Sequence, residues 1–344
     1  MILLERKLFM PVLTNEYLKC RPKLPPVLYH YCSVNTFLSI MENYNIWLSD
    51  AEKTNDYTEM KWLFDKIKEV IDEILSSYED IFDHELLHRT KGIISEVIEK
   101  LLLKKAPIVK NAKSFMFCLS EANDLLSQWR AYGNDGKGVA IGFNTEVLSE
   151  FMSNPFYTLT KVIYNQEDTF KFLHMALDEQ LKWSIESSID SSNNGYNESE
   201  LVVNIFMLIY GIWEEGFVYK NNMFVEEQEW RIFRKIHSDN YSNDNGVDDY
   251  GYTDSLDGFF ICNDKYLGDF TRSALKFRST EDDLRVYFEL GFEKRKKNII
   301  KEIIIGPKCK VDDLDIKLLL AKNGYMEDAF SNSVYIRKSK CPYT

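Results

Sequence analysis

Apolar residues follow two rhythms along this chain. Met60, Leu63, Phe64, Ile67, Val70, Ile71, Ile74 and Leu75 recur at every third or fourth position, the spacing that lines up one side of a helix. Ile93, Ile94, Val97, Ile98, Leu101 and Leu102 repeat it, with Pro107 closing the segment. These stripes predict helices over 57–105, and similar patterns predict helices over 167–190, 198–216 and about 311–322. A shorter helix follows Ser33, an N-cap ahead of Phe37, Leu38, Ile40 and Met41. The second rhythm is the short β-type run. It predicts strands at 27–31, 46–48, 114–119, 138–143, 161–164, 229–233, 284–290, 302–305 and 334–336.

The strands come as scattered pairs with helical blocks between them. That order predicts a single α+β domain over 1–344, built on a central, mainly antiparallel sheet. A helical insertion is expected at about 57–112 and a second helical segment at about 165–220. Residues 238–257, rich in Asp and lacking Lys and Arg, read as a surface loop.

Composition narrows the class. The chain has 344 residues, 45% of them hydrophobic, with 15 Gly and 8 Pro, which excludes disordered and low-complexity classes. A net charge of −12 makes general nucleic-acid binding unfavourable. The longest strongly apolar run, Ile205 to Trp213, is too short for a bilayer, which needs roughly 20 residues. No signal peptide is evident, since Glu5, Arg6 and Lys7 interrupt the apolar residues of the N-terminus. Cys20, Cys32, Cys118, Cys262, Cys309 and Cys341 are scattered without a CxxC pair, as expected of free thiols in a reducing compartment. The expectation is a cytoplasmic protein with no membrane partner and no metal.

Four groups of residues have the makings of a site. Tyr29, His30 and Tyr31 lie on a strand ahead of a helix, where a His can bond a ligand ribose or be satisfied within the sheet. Asn55, Asp56 and Glu59 offer an N-cap with an acidic first turn, the polar wall of a substrate site, or, in Asp56 and Glu59, two metal ligands. Gln128, Trp129, Arg130 and Tyr132 sit between two strands. Trp129 and Tyr132, three apart, are expected to share one side of a helical turn and to stack on a flat ring or pack a core. Arg130 is suited to a phosphate. Glu227, Glu229 and Arg231 would share one side of a strand, as an exposed row or as a carboxylate pair for glycosidic-bond chemistry.

In this order the motifs resemble a bacterial family known as domain of unknown function 2971. They are Leu28-Tyr-His-Tyr-Cys-Ser33, Ile46-Trp-Leu-Ser49, Asn55-Asp56-x-x-Glu59, Phe117-Cys-Leu-Ser120, Gln128-Trp-Arg-Ala-Tyr132, Gly138-Val-Ala-Ile-Gly-Phe143, Glu227-x-Glu-Trp-Arg231 and Ile303-Ile-Ile-Gly-Pro307. The family usually has Pro after Asn-Asp, where this chain has Tyr57. Tyr-His-Tyr-x-Ser on an early strand and Glu-x-Glu on a late one are also similar to ADP-ribosyltransferases. That resemblance implies an ADP-ribosyltransferase-like fold and NAD as substrate. It implies Glu229 as the catalytic residue, Glu227 orienting an acceptor, His30 and Tyr31 at the NAD, and Tyr132 or Trp129 on nicotinamide. No Ser-Thr-Ser element precedes the Glu pair.

Three functions follow as expectations. One is an NAD-consuming transferase or glycohydrolase acting on a protein side chain, a nucleotide or water, with a role in bacterial phage defence. The second is a non-catalytic module that senses a nucleotide-type small molecule or binds a protein. The third is a metal-dependent hydrolase or nuclease using Asp56, Glu59 and Glu229.

Overall fold

The computed structural model describes residues 23–53, 58–103, 105, 112–150, 157–164, 166–190, 195–238, 252–253, 266–267, 270–272, 275–329 and 333–343. The chain divides into two compact units. One takes in Asp56–Lys110 and Ile163–Phe224, the other Lys23–Asn55, Asn111–Val162 and Val225–Thr344.

The first unit is helical. Its long helices are Thr58–Ser77, His84–Leu102, Gln166–Ser188 and Glu198–Glu215. The apolar stripes seen in the sequence become its core. Leu63, Phe64, Ile67 and Val70 are fully buried, as are Ile98, Leu181 and Ile205. Asp83 and Asn197 cap two of the helices by accepting from backbone amides of the first turn. The Tyr78 hydroxyl donates to the Asp178 carboxylate and ties the first helix to the third.

Among the described residues, the second unit carries a 13-stranded sheet. Its strands are β1 Val27–Cys32, β2 Asn45–Asp50, β3 Ala112–Ser120, β4 Val139–Asn144, β5 Thr158–Lys161, β6 Glu229–Ser238, β7 Tyr252–Thr253, β8 Tyr266–Leu267, β9 Phe270–Arg272, β10 Lys276–Ser279, β11 Leu284–Gly291, β12 Ile300–Ile305 and β13 Tyr335–Lys338. The main path runs β8-β9-β11-β2-β3-β1-β4-β12-β13, with β10 on β11 and with β6 joining β3, β5 and β7. Its pairings are antiparallel except β12 with β13. The mainly antiparallel sheet with helices is thus the architecture the strand pattern predicts.

Alternation along the strands gives the sheet two sides. Leu28, Leu48, Phe117, Ile141, Ile232 and Phe288 face the main core. Tyr29, Tyr31, Ala140 and Ile304 face the other side, where Trp129 packs on them. β4 is buried along its whole length. A side chain at Gly142 would come within 2.9 Å of Val27 and 3.0 Å of Tyr29, so glycine there lets the Tyr29 ring lie across the strand.

The structure corrects several boundaries. β5 covers 158–161 rather than 161–164. β10 has no counterpart in the sequence reading, because Lys-Phe-Arg-Ser offers one apolar residue in a charged edge strand. Most of 238–257 lies outside the described residues, although Tyr252–Thr253 pairs with the end of β6. No described helix is long and apolar enough to cross a membrane.

Candidate functional site

The Gln-Trp-Arg-Ala-Tyr motif forms the helix Leu126–Ala131 and its C-cap, Tyr132. Trp129 is fully buried. Its Nε1 donates to the Asp124 carboxylate at 2.7 Å, and its ring meets Tyr31 edge-on, with centroids 4.8 Å apart. The Tyr31 hydroxyl donates to the Ala122 carbonyl at 2.7 Å and accepts from the Leu125 amide at 3.2 Å. Trp129 and Tyr31 therefore pack within the fold, and for Trp129 this is the core-packing place that its motif also allowed. Trp129 and Tyr132 do not share a side either, because Tyr132 stands 43% exposed. The helix ends one residue before Tyr132, so helical spacing no longer governs where its ring goes.

Around Trp129 lies a polar network with no local signature in the sequence. Asp124 also accepts from Ser339 and from the Lys340 amide. Burial opposes its charge, but these bonds and Arg337 hold its carboxyl below the usual range. Arg337 also donates to Glu302 at 2.7 Å, and Glu302 accepts from the Tyr29 hydroxyl at 2.7 Å. Burial, reinforced by Glu302, pushes the Tyr29 phenol up to about 12. Asp124 and Ser339 are 215 residues apart, a separation at which local pattern carries no information.

The Glu-x-Glu segment is also built differently from expectation. A 3-10 turn covers Asn222–Glu227, Gln228 takes a left-handed φ of 45°, and β6 begins only at Glu229. Glu227 and Glu229 therefore do not share a strand face. The kink is fixed from β3: the Ser120 hydroxyl donates to the Glu227 carbonyl at 2.6 Å and the Glu121 amide to the Gln228 carbonyl at 3.0 Å. Beyond the kink, Glu229 is buried and grips Arg231 in a fork, with Nε and Nη2 donating at 2.8 and 3.0 Å. Glu229 and Arg231 do share a face, as expected, but as a buried ion pair rather than a solvated row. Glu227 remains half-exposed and accepts from the Tyr132 hydroxyl at 3.0 Å.

His30 stands elsewhere. On β1 it alternates with Tyr29 and Tyr31 and lies on the Leu28 and Cys32 side, with its ring 4.3 Å from that of Phe117. Tyr29 pairs with Ser120, and Ser120 pairs with Glu229. Paired residues share a face, so Glu229 belongs to the side opposite His30. The His30 Nδ1 lies 3.0 Å from the Cys118 carbonyl oxygen. A carbonyl only accepts, which makes Nδ1 the protonated nitrogen. Desolvation lowers the imidazole to about 4, so the ring is neutral at physiological pH. Asn55 and Asp56 lie outside the described residues, as does the side chain of Glu59.

Tyr132 is held firmly. After it, Asn134, Asp135 and Gly136 adopt left-handed φ values of 50°, 55° and 77°, an unfavourable run for side-chain-bearing residues. Bonds from the Gly138 amide to Gly133, from Gly306 to Gly138 and from Lys308 to Gly136 sew the loop down. A Cβ at Gly138 would lie 2.0 Å from the Cys32 carbonyl oxygen, so only glycine fits. The ring of Tyr343 has Lys308 Nζ at 3.5 Å and the exposed Arg130 guanidinium at 5.8 Å from its centroid. Among the described residues, no group of three or more His, Cys, Asp and Glu side chains is placed to hold a metal ion.

The expected residues thus separate into buried members (Tyr31, Trp129, Glu229 and Arg231), a His on the other side, and an accessible Tyr132–Glu227 pair. That pair offers a flat ring beside a carboxylate, suited to a base and to hydroxyl donors. The model of the family described as protein of unknown function (DUF2971) matches residues 128–232. The match holds both Tyr132 and Glu227 and so brackets their contact. No curated protein matches the chain, and no solved structure does.

Proposed function

We propose that this chain is a binding module for a nucleotide-type small molecule, with Tyr132 and Glu227 as its contacts and no bond cleavage at Glu229. The observation that carries this reading is the contrast between the two glutamates. Glu229 is buried in a fork with Arg231, while Glu227 is half-exposed against an exposed ring. A carboxylate gripped by two guanidinium bonds has little freedom to stabilise a ribosyl cation. An exposed tyrosine can take a base by stacking, and the neighbouring carboxylate can accept from ribose hydroxyls. The rigid loop after Tyr132 lowers the ordering cost of binding. A cytoplasmic site, where nucleotides are plentiful and scattered thiols stay reduced, fits this reading.

Calorimetric titration of NAD and ADP into the whole protein tests it, with Tyr132→Ala and Glu227→Gln as variants. Saturable binding that both variants weaken supports the module. The rival is NAD cleavage with Glu227 as the working carboxylate and a protein side chain or water as acceptor. Nicotinamide release that disappears in Glu227→Gln would establish that rival in its place.

A further inference from the structure

The hairpin of β10 and β11 sets two arginines against each other. Arg278 pairs directly with Arg285 across the strands. Val286, Phe288 and Leu290 point to the main core. Arg285, Tyr287 and Glu289 therefore share the other side with Arg278, Lys276 and, through the β2 register, Trp47. Like charges directly opposite one another on a sheet are destabilising.

The hairpin offsets this pair only in part, because its carboxylates are engaged mainly by lysines. Lys276 is taken by Glu289 at 2.7 Å and Lys53 by Asp283 at 2.5 Å. Asp283, shared with Lys53, also reaches Arg285 Nε in a long ion pair at 3.7 Å, and among the described residues Arg278 has no carboxylate within ion-pair distance. Glu281 and Asp282 of the turn are exposed. The Nε atoms of Arg278 and Arg285 are both buried without a hydrogen-bond partner, a costly state for a charged donor. The Arg278 guanidinium is nonetheless fixed, 5.5 Å from the Trp47 ring centroid, and Trp47 is stacked on Tyr287 at 4.3 Å. Stacking holds the guanidinium plane and leaves its edge donors to reach an acceptor.

We infer that Arg278 and Arg285 form an oxyanion site that takes the phosphoryl group of a small phosphorylated molecule. One tetrahedral anion supplies enough oxygens to bond both guanidinium groups and cancels the repulsion between them. The site is independent of the Tyr132–Glu227 rim and stands or falls without it.

The test is titration of inorganic pyrophosphate, and separately of ATP, into the full chain at low ionic strength. The variants are Arg278→Gln, Arg285→Gln and Arg285→Lys. The expected result is saturable pyrophosphate binding, weakened at least tenfold in each Gln variant and less in Arg285→Lys, which keeps the charge without the fork. A second readout separates binding from structure: without ligand, each Gln variant melts at or above the wild-type temperature, because removing one charge relieves the repulsion. ATP binding that follows pyrophosphate assigns the phosphoryl source to a nucleotide, and pyrophosphate binding alone assigns it to a free phosphate. No saturable binding, or equal binding by all variants, would overturn the inference. If a Gln variant fails to fold, Arg285→Lys carries the comparison, and unchanged affinity there would also overturn it.

Discussion

His30 and Glu229 lie on opposite sides of one sheet, as the pairing of Tyr29 with Ser120 and of Ser120 with Glu229 requires. A single nucleotide lying against one side of the sheet cannot be contacted by both. His30 therefore acts within the fold, through its bond to the Cys118 carbonyl.

That role has a pH signature. The His30 imidazole titrates near 4 in the folded protein against 6.5 as its ordinary value. The unfolded chain binds the proton first as pH falls, so stability is complete above 6.5 and is lost progressively towards 4, by roughly 3 kcal/mol. Urea unfolding at several pH values should show stability rising with pH across this window. His30→Gln should flatten the slope, and an unchanged slope would contradict a desolvated, neutral imidazole.

Glu229→Gln should lower unfolding stability by about 3 kcal/mol, because it leaves the Arg231 charge buried without its carboxylate. The double variant Glu229→Gln/Arg231→Met should recover part of that loss. Denaturant midpoints measure both. A Glu229→Gln protein as stable as wild type would mean that the carboxylate is free for chemistry.

Trp129→Phe removes a donor to Asp124 and leaves space in a fully buried position. The expected cost is about 2 kcal/mol of stability, with ligand affinity unchanged. A large loss of affinity at unchanged stability would return Trp129 to the ligand.

Gly138→Ala places a methyl group against the Cys32 carbonyl oxygen and should cost about 3 kcal/mol or more. Thermal melting checks it. A neutral result would mean that the loop behind Tyr132 yields easily and does not preorganise the ring.

What the sequence made legible follows from how local each cause is. The stripes at Leu63 to Leu75 and Ile93 to Leu101 are core because helical period alone determines which side is buried. Ser33 caps its helix because the capping bond spans three residues. The site depended on features with no local signature. The left-handed Gln228 separates Glu227 from Glu229, and no glycine marks it. The burial of Trp129 rests on Asp124 and on the distant β13 segment. The cross-strand Arg278–Arg285 pair required knowing that 276–279 is a strand at all.

The most direct test of the central claim is calorimetric titration of NAD into wild type, Tyr132→Phe and Tyr132→Ala, with free nicotinamide quantified in the same samples. Base stacking on an aromatic ring is worth about 1–3 kcal/mol. Tyr132→Ala should therefore bind at least about tenfold more weakly. Tyr132→Phe, which keeps the ring and loses the bond to Glu227, should fall between, and nicotinamide should stay at background throughout. Equal affinity in all three proteins, or nicotinamide released by wild type, would contradict the account.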